Sequence, residues 1–359
     1  MKQTFTAIGL MSGTSLDGLD IAYCAFTQEG GNYRYRLLAA ETTSYDDSWR
    51  ARLTFRPDLS GYELKALDIA YGTWLGEKVA DFIMRHNATP DFVASHGHTW
   101  FHDPANRLNL QLGDGYEMHR LIGRTVVNDF RSLDIRMGGQ GAPLVPIGDH
   151  LLFKEYDCCI NLGGIANISG MKAGQRLSFD IAPFNLVLNK LAAREGLAYD
   201  AGGKLAASGK LLTPLSDELA QLGFFQQPPP KSLGIEWVSE VVYPLFDQHS
   251  DLLSKDLLHT YSSFAANEVS RSIRFFDQHR RVLVTGGGAK NDFFISQLRQ
   301  QLGASATIEV PDDQLVDYKE AIVFAFLGLL RITNQVNCLK EVTGASQSVS
   351  GGVVYDQLS

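Results

Sequence analysis

DCCINLGGIANISGM, residues 157–171, reads as an apolar strand, a Gly-rich turn and a second apolar strand. The same plan stands about 150 residues earlier in IGLMSGTSLDGLDIAYCAF, residues 8–26, where an apolar run meets a Gly/Ser/Asp turn and resumes as another apolar run. This internal repeat predicts two copies of one hairpin-led α/β unit, with two Gly-rich turns facing each other across a cleft.

Working outward from the first copy, strands are expected over residues 5–11, 20–27 and 33–43, and consecutive hairpins imply an antiparallel start. Leu64, Leu67, Ala70, Trp74, Leu75, Val79 and Phe82 recur at three- and four-residue steps, which predicts a helix over residues 61–87. A short strand at 92–95 leads into a Gly/His loop, and strands at 108–112 and 125–128 flank a short helix at 115–122. GGQGAPLVP, residues 138–146, is rich in turn formers and carries the chain across. The expected division is therefore residues 1–128 with a C-terminal segment 343–359, and a larger domain 129–342. In the second part, helices are expected at 185–195, 212–222, 255–278, 291–301 and 318–332, with strands at 282–285 and 306–310. QQPPPK, residues 226–231, cannot continue a helix and is read as an extended loop, a surface lid or a substrate-side segment.

Composition sets the outer limits. A chain of 359 residues, 45% hydrophobic and 20% charged, suits about two globular cores. The formal net charge of -8, with acidic residues spread along the chain, leaves no basic patch for DNA or RNA, so nucleic acid is not expected as a partner. No apolar run approaches the ~18 residues that cross a bilayer, and the start shows no clear cleavage site, so no membrane association is expected. Cys24, Cys158, Cys159 and Cys338 show no C-x-x-C spacing, which fits a reducing cytoplasm. Cys158 and Cys159 point to opposite strand faces and are read as core.

GLMSGTSLDGLD, residues 9–20, concentrates glycines, hydroxyls and two carboxylates in one turn. Its backbone N–H groups, with the hydroxyls of Ser12, Thr14 and Ser15, can hydrogen-bond phosphate oxygens, while Asp17 or Asp20 can hold water on a magnesium ion. The plain alternative is an ordinary Gly-rich hairpin. No G-x-x-x-x-G-K-[ST] occurs, which excludes a Walker-type cradle. VLVTGGGAKN, residues 282–291, is a buried-type strand ending in three glycines, suited to close approach of a flat ligand such as adenosine. His96, His98 and His102 invite a metal reading, but no Cys lies nearby and the spacing matches no common zinc module, so hydrogen-bonding histidines are expected and no structural metal.

LMSGTSLDGLD, ASHGHTW (94–100), NDFR (128–131), GGQGAP (138–143), NLGGIANIS (161–169) and VTGGGAKN, followed by AASGK (206–210), PPKS (229–232), EAIVFAFL (320–327) and TGA (343–345), together resemble the anhydro-N-acetylmuramic acid kinase family along essentially the whole chain. The resemblance implies the actin/hexokinase-like ATPase fold: α/β, two RNase H-like domains that close on ATP and magnesium, with the active site in the interdomain cleft. It also implies hydrolytic opening of a 1,6-anhydro sugar coupled to phosphorylation of O6, giving N-acetylmuramic acid 6-phosphate in peptidoglycan recycling, and a cytoplasmic homodimer. By position, Asp180 matches the family's catalytic aspartate, and a strand end suits a general base. The plain alternative is a carboxylate capping the following helix.

The same resemblance assigns ATP to Gly13, Thr14, Ser15, Leu16, Asp17, Gly18, Leu19 and Asp20, to Gly163 and Gly164, and to Gly286, Gly287 and Gly288 on the adenosine side. It assigns the sugar to His98, Thr99, Arg131, Gln140 and Glu320, with Arg131 suited to a lactyl carboxylate. One turn departs from the pattern. The family's Asp-Thr-Gly-Pro-Gly-Asn is DIAPFN here, with Ile181, Ala182 and Phe184 in place of the Thr and both glycines; Asn189 stands where a second carboxylate is expected, and Leu233 replaces a Thr. The expectation is a reshaped sugar pocket, which keeps two alternatives open: a kinase of a related amino sugar, or a non-catalytic ATP-binding regulatory protein.

Overall fold

The computed structural model describes residues 2–13 and 16–356. Internal packing divides the chain into unit 1, residues 1–152 with 318–359, and unit 2, residues 153–317.

Unit 1 opens as an antiparallel meander of β1 (Gln3–Ser12), β2 (Leu19–Glu29) and β3 (Asn32–Thr43). The helix Gly61–His86 then returns the chain to β4 (Phe92–Ser95), which pairs parallel to β1. Ser60 and Glu63 start that helix with a reciprocal capping box, Asn87 ends it in the left-handed conformation, and its face of Leu67, Tyr71, Trp74, Leu75, Val79 and Phe82 is buried. A separate hairpin of β5 (His98–Asp103) and β6 (Leu108–Leu112) precedes β7 (Thr125–Asn128), which pairs parallel to β4. The sheet order is β3-β2-β1-β4-β7, with Val353–Tyr355 added antiparallel to β7.

Unit 2 repeats this plan. Strands β8 (Cys158–Leu162), β9 (Ile165–Lys172) and β10 (Gln175–Pro183) form the meander, and β11 (Arg281–Thr285) and β12 (Thr307–Glu309) extend it in parallel beyond β8, giving the order β10-β9-β8-β11-β12. In both units the first strand lies at the centre, the next two fold back on one side and two crossover strands add on the other. This is the RNase H-like topology, duplicated as the two Gly-rich hairpins imply. All four cysteines are buried free thiols, two of them on β8.

The division falls elsewhere than the turn formers suggest. Residues 129–152 and 318–342 belong to unit 1 rather than to the second domain, together with the C-terminal segment. The physical reason is the helix Asp313–Ile332, which lies directly on the unit 1 sheet: a Cβ on Gly9 of β1 would sit 1.9 Å from the Ala321 carbonyl oxygen, and one on Gly328 would sit 2.6 Å from Ala94 Cβ. Short helices at Asp47–Leu53 and Pro146–Leu152, and strand β5, are elements that periodicity does not reveal. Among the described residues no helix is long and apolar enough to cross a membrane.

Candidate active site

In unit 1 the parallel strands β1, β4 and β7 end side by side at Ser12, Ser95 and Asn128, so the residues that follow them collect at one edge of the sheet, where open α/β sheets bind ligands. His96 continues the β1–β4 ladder through its N–H to Leu10 C=O at 3.0 Å. Arg131, three residues beyond β7, donates from Nη2 to His96 Nε2 at 2.8 Å and from Nη1 to Gly141 C=O at 2.8 Å. The His96 proton therefore sits on Nδ1 and is given to the Gly97 carbonyl at 2.9 Å. Burial, helped by the Arg131 charge, drives the His96 pKa down to about 3, so this ring is a neutral acceptor at working pH.

Burial also lowers the Arg131 pKa to about 10, countered by the Glu320 carboxylate, and Arg131 stays cationic. Glu320 is raised by burial and held down by Lys319 and Arg131. Two buried polar atoms here, Arg131 Nε and Asn128 Oδ1, have no hydrogen-bond partner among the described residues. A guanidinium with an uncommitted Nε–H, fixed at both terminal nitrogens, is a preorganised receptor for a carboxylate.

The other proposed sugar residues of unit 1 do not all join this group. His98 is buried, with Nε2 on Leu53 C=O at 3.1 Å and Nδ1 on Ser12 Oγ at 3.3 Å; Ser12 in turn bonds the Tyr45 hydroxyl at 2.8 Å, and Tyr45 bonds Tyr71 at 2.6 Å. Burial lowers the His98 pKa, and a ring that gives its Nε2–H to Leu53 C=O accepts the Ser12 proton at Nδ1. His98 thus anchors the last residue of β1 before the Gly13 turn. Thr99 donates to Gln111 Oε1 at 2.7 Å within the β5–β6 hairpin. Gln140 is exposed on a loop fastened by its own N–H to Thr343 C=O at 2.9 Å.

That loop is held by a residue the sequence reading missed. Asp134, fully buried, accepts from Gly141 N–H at 2.8 Å, Thr343 Oγ1 at 2.8 Å and Cys338 Sγ at 3.2 Å. A Cβ on Gly139 would strike Asp134 Oδ2 at 2.2 Å, which explains why GGQGAP and TGA occur together. The only signal in sequence was that pair of small-residue motifs, whose common partner is a carboxylate.

In the first Gly-rich turn, Thr14 and Ser15 lie outside the described residues. Leu16 is left-handed (φ 57) and gives its N–H to Gly13 C=O at 3.4 Å. Gly18 presses on Thr42 and Thr43 with no room for a side chain, Leu19 is buried, Asp17 is exposed, and Asp20 Oδ1 accepts from Thr42 Oγ1 at 2.6 Å. Among the described residues no three His, Cys, Asp or Glu converge as a metal cluster. Magnesium asks for less, one or two carboxylates with phosphate and water completing the shell, and Asp17 and Asp20 fit that donor set.

In unit 2 the turns Gly163–Gly164 and Gly286–Gly288 follow the adjacent parallel strands β8 and β11, in register at Asn161 and Thr285. Gly286 is left-handed (φ 82), and its Cβ would meet Asn161 Oδ1 at 2.4 Å, whereas a Cβ on Gly163 or Gly287 would make only ordinary contacts, at 3.5 Å or more. Side-chain-free backbone at Gly163 and Gly287, at the carboxyl ends of two neighbouring strands, suits a phosphate or a flat base.

Asp180 lies on β10 opposite Asn167, at a bulge between Asp180 and Ala182. Its Oδ2 accepts from Leu233 N–H at 2.9 Å and its own N–H donates to Lys231 C=O at 2.9 Å. Burial raises its pKa to about 6, with the Leu233 N–H opposing the shift. It does not cap the next helix: Asn185–Ala193 begins after Phe184 with no side-chain cap, and the N–H groups of Phe184, Asn185 and Leu186 go to the carbonyls of Gly164, Gly163 and Gly164. Asn189 is exposed on that helix.

Phe184 turns inward. It is fully buried, edge-on to Phe294 at 4.6 Å between centroids, and its ring fills the space a Gly288 Cβ would need, at 2.4 Å. The reshaped pocket expected from DIAPFN is thus instead a core plug beneath the Gly286–Gly288 turn. Phe184→Gly is expected to destabilise unit 2 by about 3–5 kcal/mol, as large-to-small core changes do. Thermal melts of the variant against wild type read the loss.

The family model for anhydro-N-acetylmuramic acid kinase matches residues 5–357. Relatives of that name include those of Synechococcus elongatus, 36% identical with 97% of this chain and 98% of the relative covered, and Nitrosomonas europaea, 33% identical with 97% and 99% covered. The relative from Francisella tularensis subsp. novicida is 31% identical, with 99% of each chain covered. Matched from end to end by one family and by full-length relatives above 30% identity, this chain belongs to the anhydro-N-acetylmuramic acid kinase family.

Proposed function

We propose that the protein uses ATP and water to convert 1,6-anhydro-N-acetylmuramic acid into N-acetylmuramic acid 6-phosphate. Asp180 carries the reading: a half-buried carboxylate whose pKa lies near 6 is ionised at neutral pH yet basic enough to accept a proton from water. Water oxygen bonds to C1 as its proton passes to Asp180, the C1–O6 bond breaks, and O6 takes the γ-phosphoryl group as ADP leaves. Charge developing on O6 is relieved by bonding to phosphorus in line with the departing ADP oxygen.

Arg131 binds the lactyl carboxylate, oriented by neutral His96 and Gly141 C=O, with Glu320, Thr99 and Gln140 completing the sugar contacts. His98 acts through Ser12 on the phosphate turn. Residues 13–20, Gly163 and Gly164 hold the phosphates of ATP, and residues 286–288 approach adenosine. Asp17 and Asp20 would hold Mg2+, which supplies charge neutralisation at the phosphates. By family membership we further propose a cytoplasmic homodimer.

The test is product analysis by mass spectrometry. One ADP and one N-acetylmuramic acid 6-phosphate per anhydro sugar consumed is the expected result. ADP without phosphorylated sugar would contradict it. The kcat should fall as pH drops through an acidic limb near 6, because the base works deprotonated, and His96 contributes nothing there, being neutral already.

A further inference from the structure

The loop QQPPPKSL has an assignment in the structure that its composition does not suggest. Lys231 C=O accepts the Asp180 N–H and Leu233 N–H donates to Asp180 Oδ2, both at 2.9 Å, so residues 231–233 grip the aspartate from backbone and side chain at once. The grip lies beside the β10 bulge, where β10 pairing with β9 is interrupted, so the loop supplies the hold the sheet does not. Leu233 is buried and anchors one end.

The other end is anchored by the Lys231 side chain. Its ammonium stands 4.3 Å from the Phe224 ring centroid and 5.7 Å from that of Phe225, and Nζ donates to Phe224 C=O at 3.0 Å. Phe225 is itself fixed, its carbonyl accepting from Arg271 Nη2 at 3.1 Å and its ring packing edge-on to Phe264 at 4.8 Å. The charges facing Lys231 are Glu268 and Arg271 on the helix Ser254–Ile273, paired with each other at 3.3 Å.

We propose that Lys231 is a positioning residue for Asp180: clamped over Phe224 and Phe225, it holds residues 231–233 so that the Leu233 N–H stays on Oδ2 and aims the free oxygen. The proposal deepens the reading of Asp180 as base and rests on it for its effect on rate. A half-buried lysine over two rings gives up part of its hydration, which the contacts with Phe224 and Phe225 offset.

The test compares wild type, Lys231→Met, Lys231→Arg and Asp180→Asn by the pH dependence of kcat and by carbon-13 NMR titration of the aspartate carboxyls, with Asp180→Asn identifying the resonance. In Lys231→Met the Leu233 hydrogen bond loosens, so the Asp180 midpoint should move up from about 6 by roughly half to one unit. The acidic limb of kcat should move with it, and kcat at neutral pH should fall about tenfold with the KM for ATP within about twofold. Lys231→Arg, able to cover the ring and donate to Phe224 C=O, should restore both. An unmoved Asp180 resonance overturns the clamp, whether or not the melting temperature drops, because a merely structural lysine would change stability alone. A raised sugar KM with an unmoved midpoint also overturns it, making Lys231 a substrate contact. Failure of the base reading shows separately, as full activity in Asp180→Asn, and the NMR midpoint still decides the clamp.

Discussion

Asp180→Asn is expected to lower kcat by about 10²–10⁴-fold, the usual contribution of a positioned general base, with the KM for ATP changed less than about twofold. It should also make the protein more stable at neutral pH. A carboxyl raised from 3.8 to about 6 contributes stability that is present at low pH and is lost as pH rises through 6, because the folded state binds its proton more tightly. At pH 7.5 the partly desolvated charge costs about 2–3 kcal/mol. The amide removes that cost while its oxygen can still accept from Leu233 N–H. Thermal melts at pH 7.5 and pH 4 should therefore show the variant above wild type at the first and level with it at the second. An inactive variant that melts lower at pH 7.5 would make Asp180 a structural carboxylate.

Arg131→Lys is the second large effect. A lysine keeps the charge but cannot bond His96, Gly141 and a carboxylate together in one plane. Losing charge-assisted hydrogen bonds of about 1.5–3 kcal/mol should raise the KM for 1,6-anhydro-N-acetylmuramic acid roughly 10- to 100-fold. The comparison substrate is 1,6-anhydro-N-acetylglucosamine, which has no lactyl group. Wild type should discriminate strongly between the two, and the variant should lose most of that preference. Equal losses on both sugars would take the lactyl carboxylate away from Arg131.

The duplication was legible because each Gly-rich turn is flanked by two apolar strands of β character, and a strand-turn-strand pattern needs no tertiary context to read. The helix Gly61–His86 was equally plain, its capping box and apolar stripe both local. The division at residues 152 and 318 was not, since it depends on Gly9 of β1 and Ala94 of β4 meeting a helix more than 200 residues away. Around the proposed site, what each side chain touches was not readable. His98 and His96 stand two apart in one motif, yet His96 meets Arg131 while His98 is spent on Ser12 and Leu53. Phe184 looked like a pocket residue because the family turn has no side chain there; the direction of its ring is fixed by Gly288 and Phe294, which are distant in sequence.

The most direct measurement is ADP release by the purified protein with ATP and magnesium, comparing 1,6-anhydro-N-acetylmuramic acid, N-acetylmuramic acid, N-acetylglucosamine and no sugar. Release stimulated by the anhydro sugar alone is the predicted result, as the proposed roles of Asp180 as base and Arg131 as lactyl receptor require. Stimulation by N-acetylglucosamine instead, or by none of the sugars while ATP still binds, would contradict it.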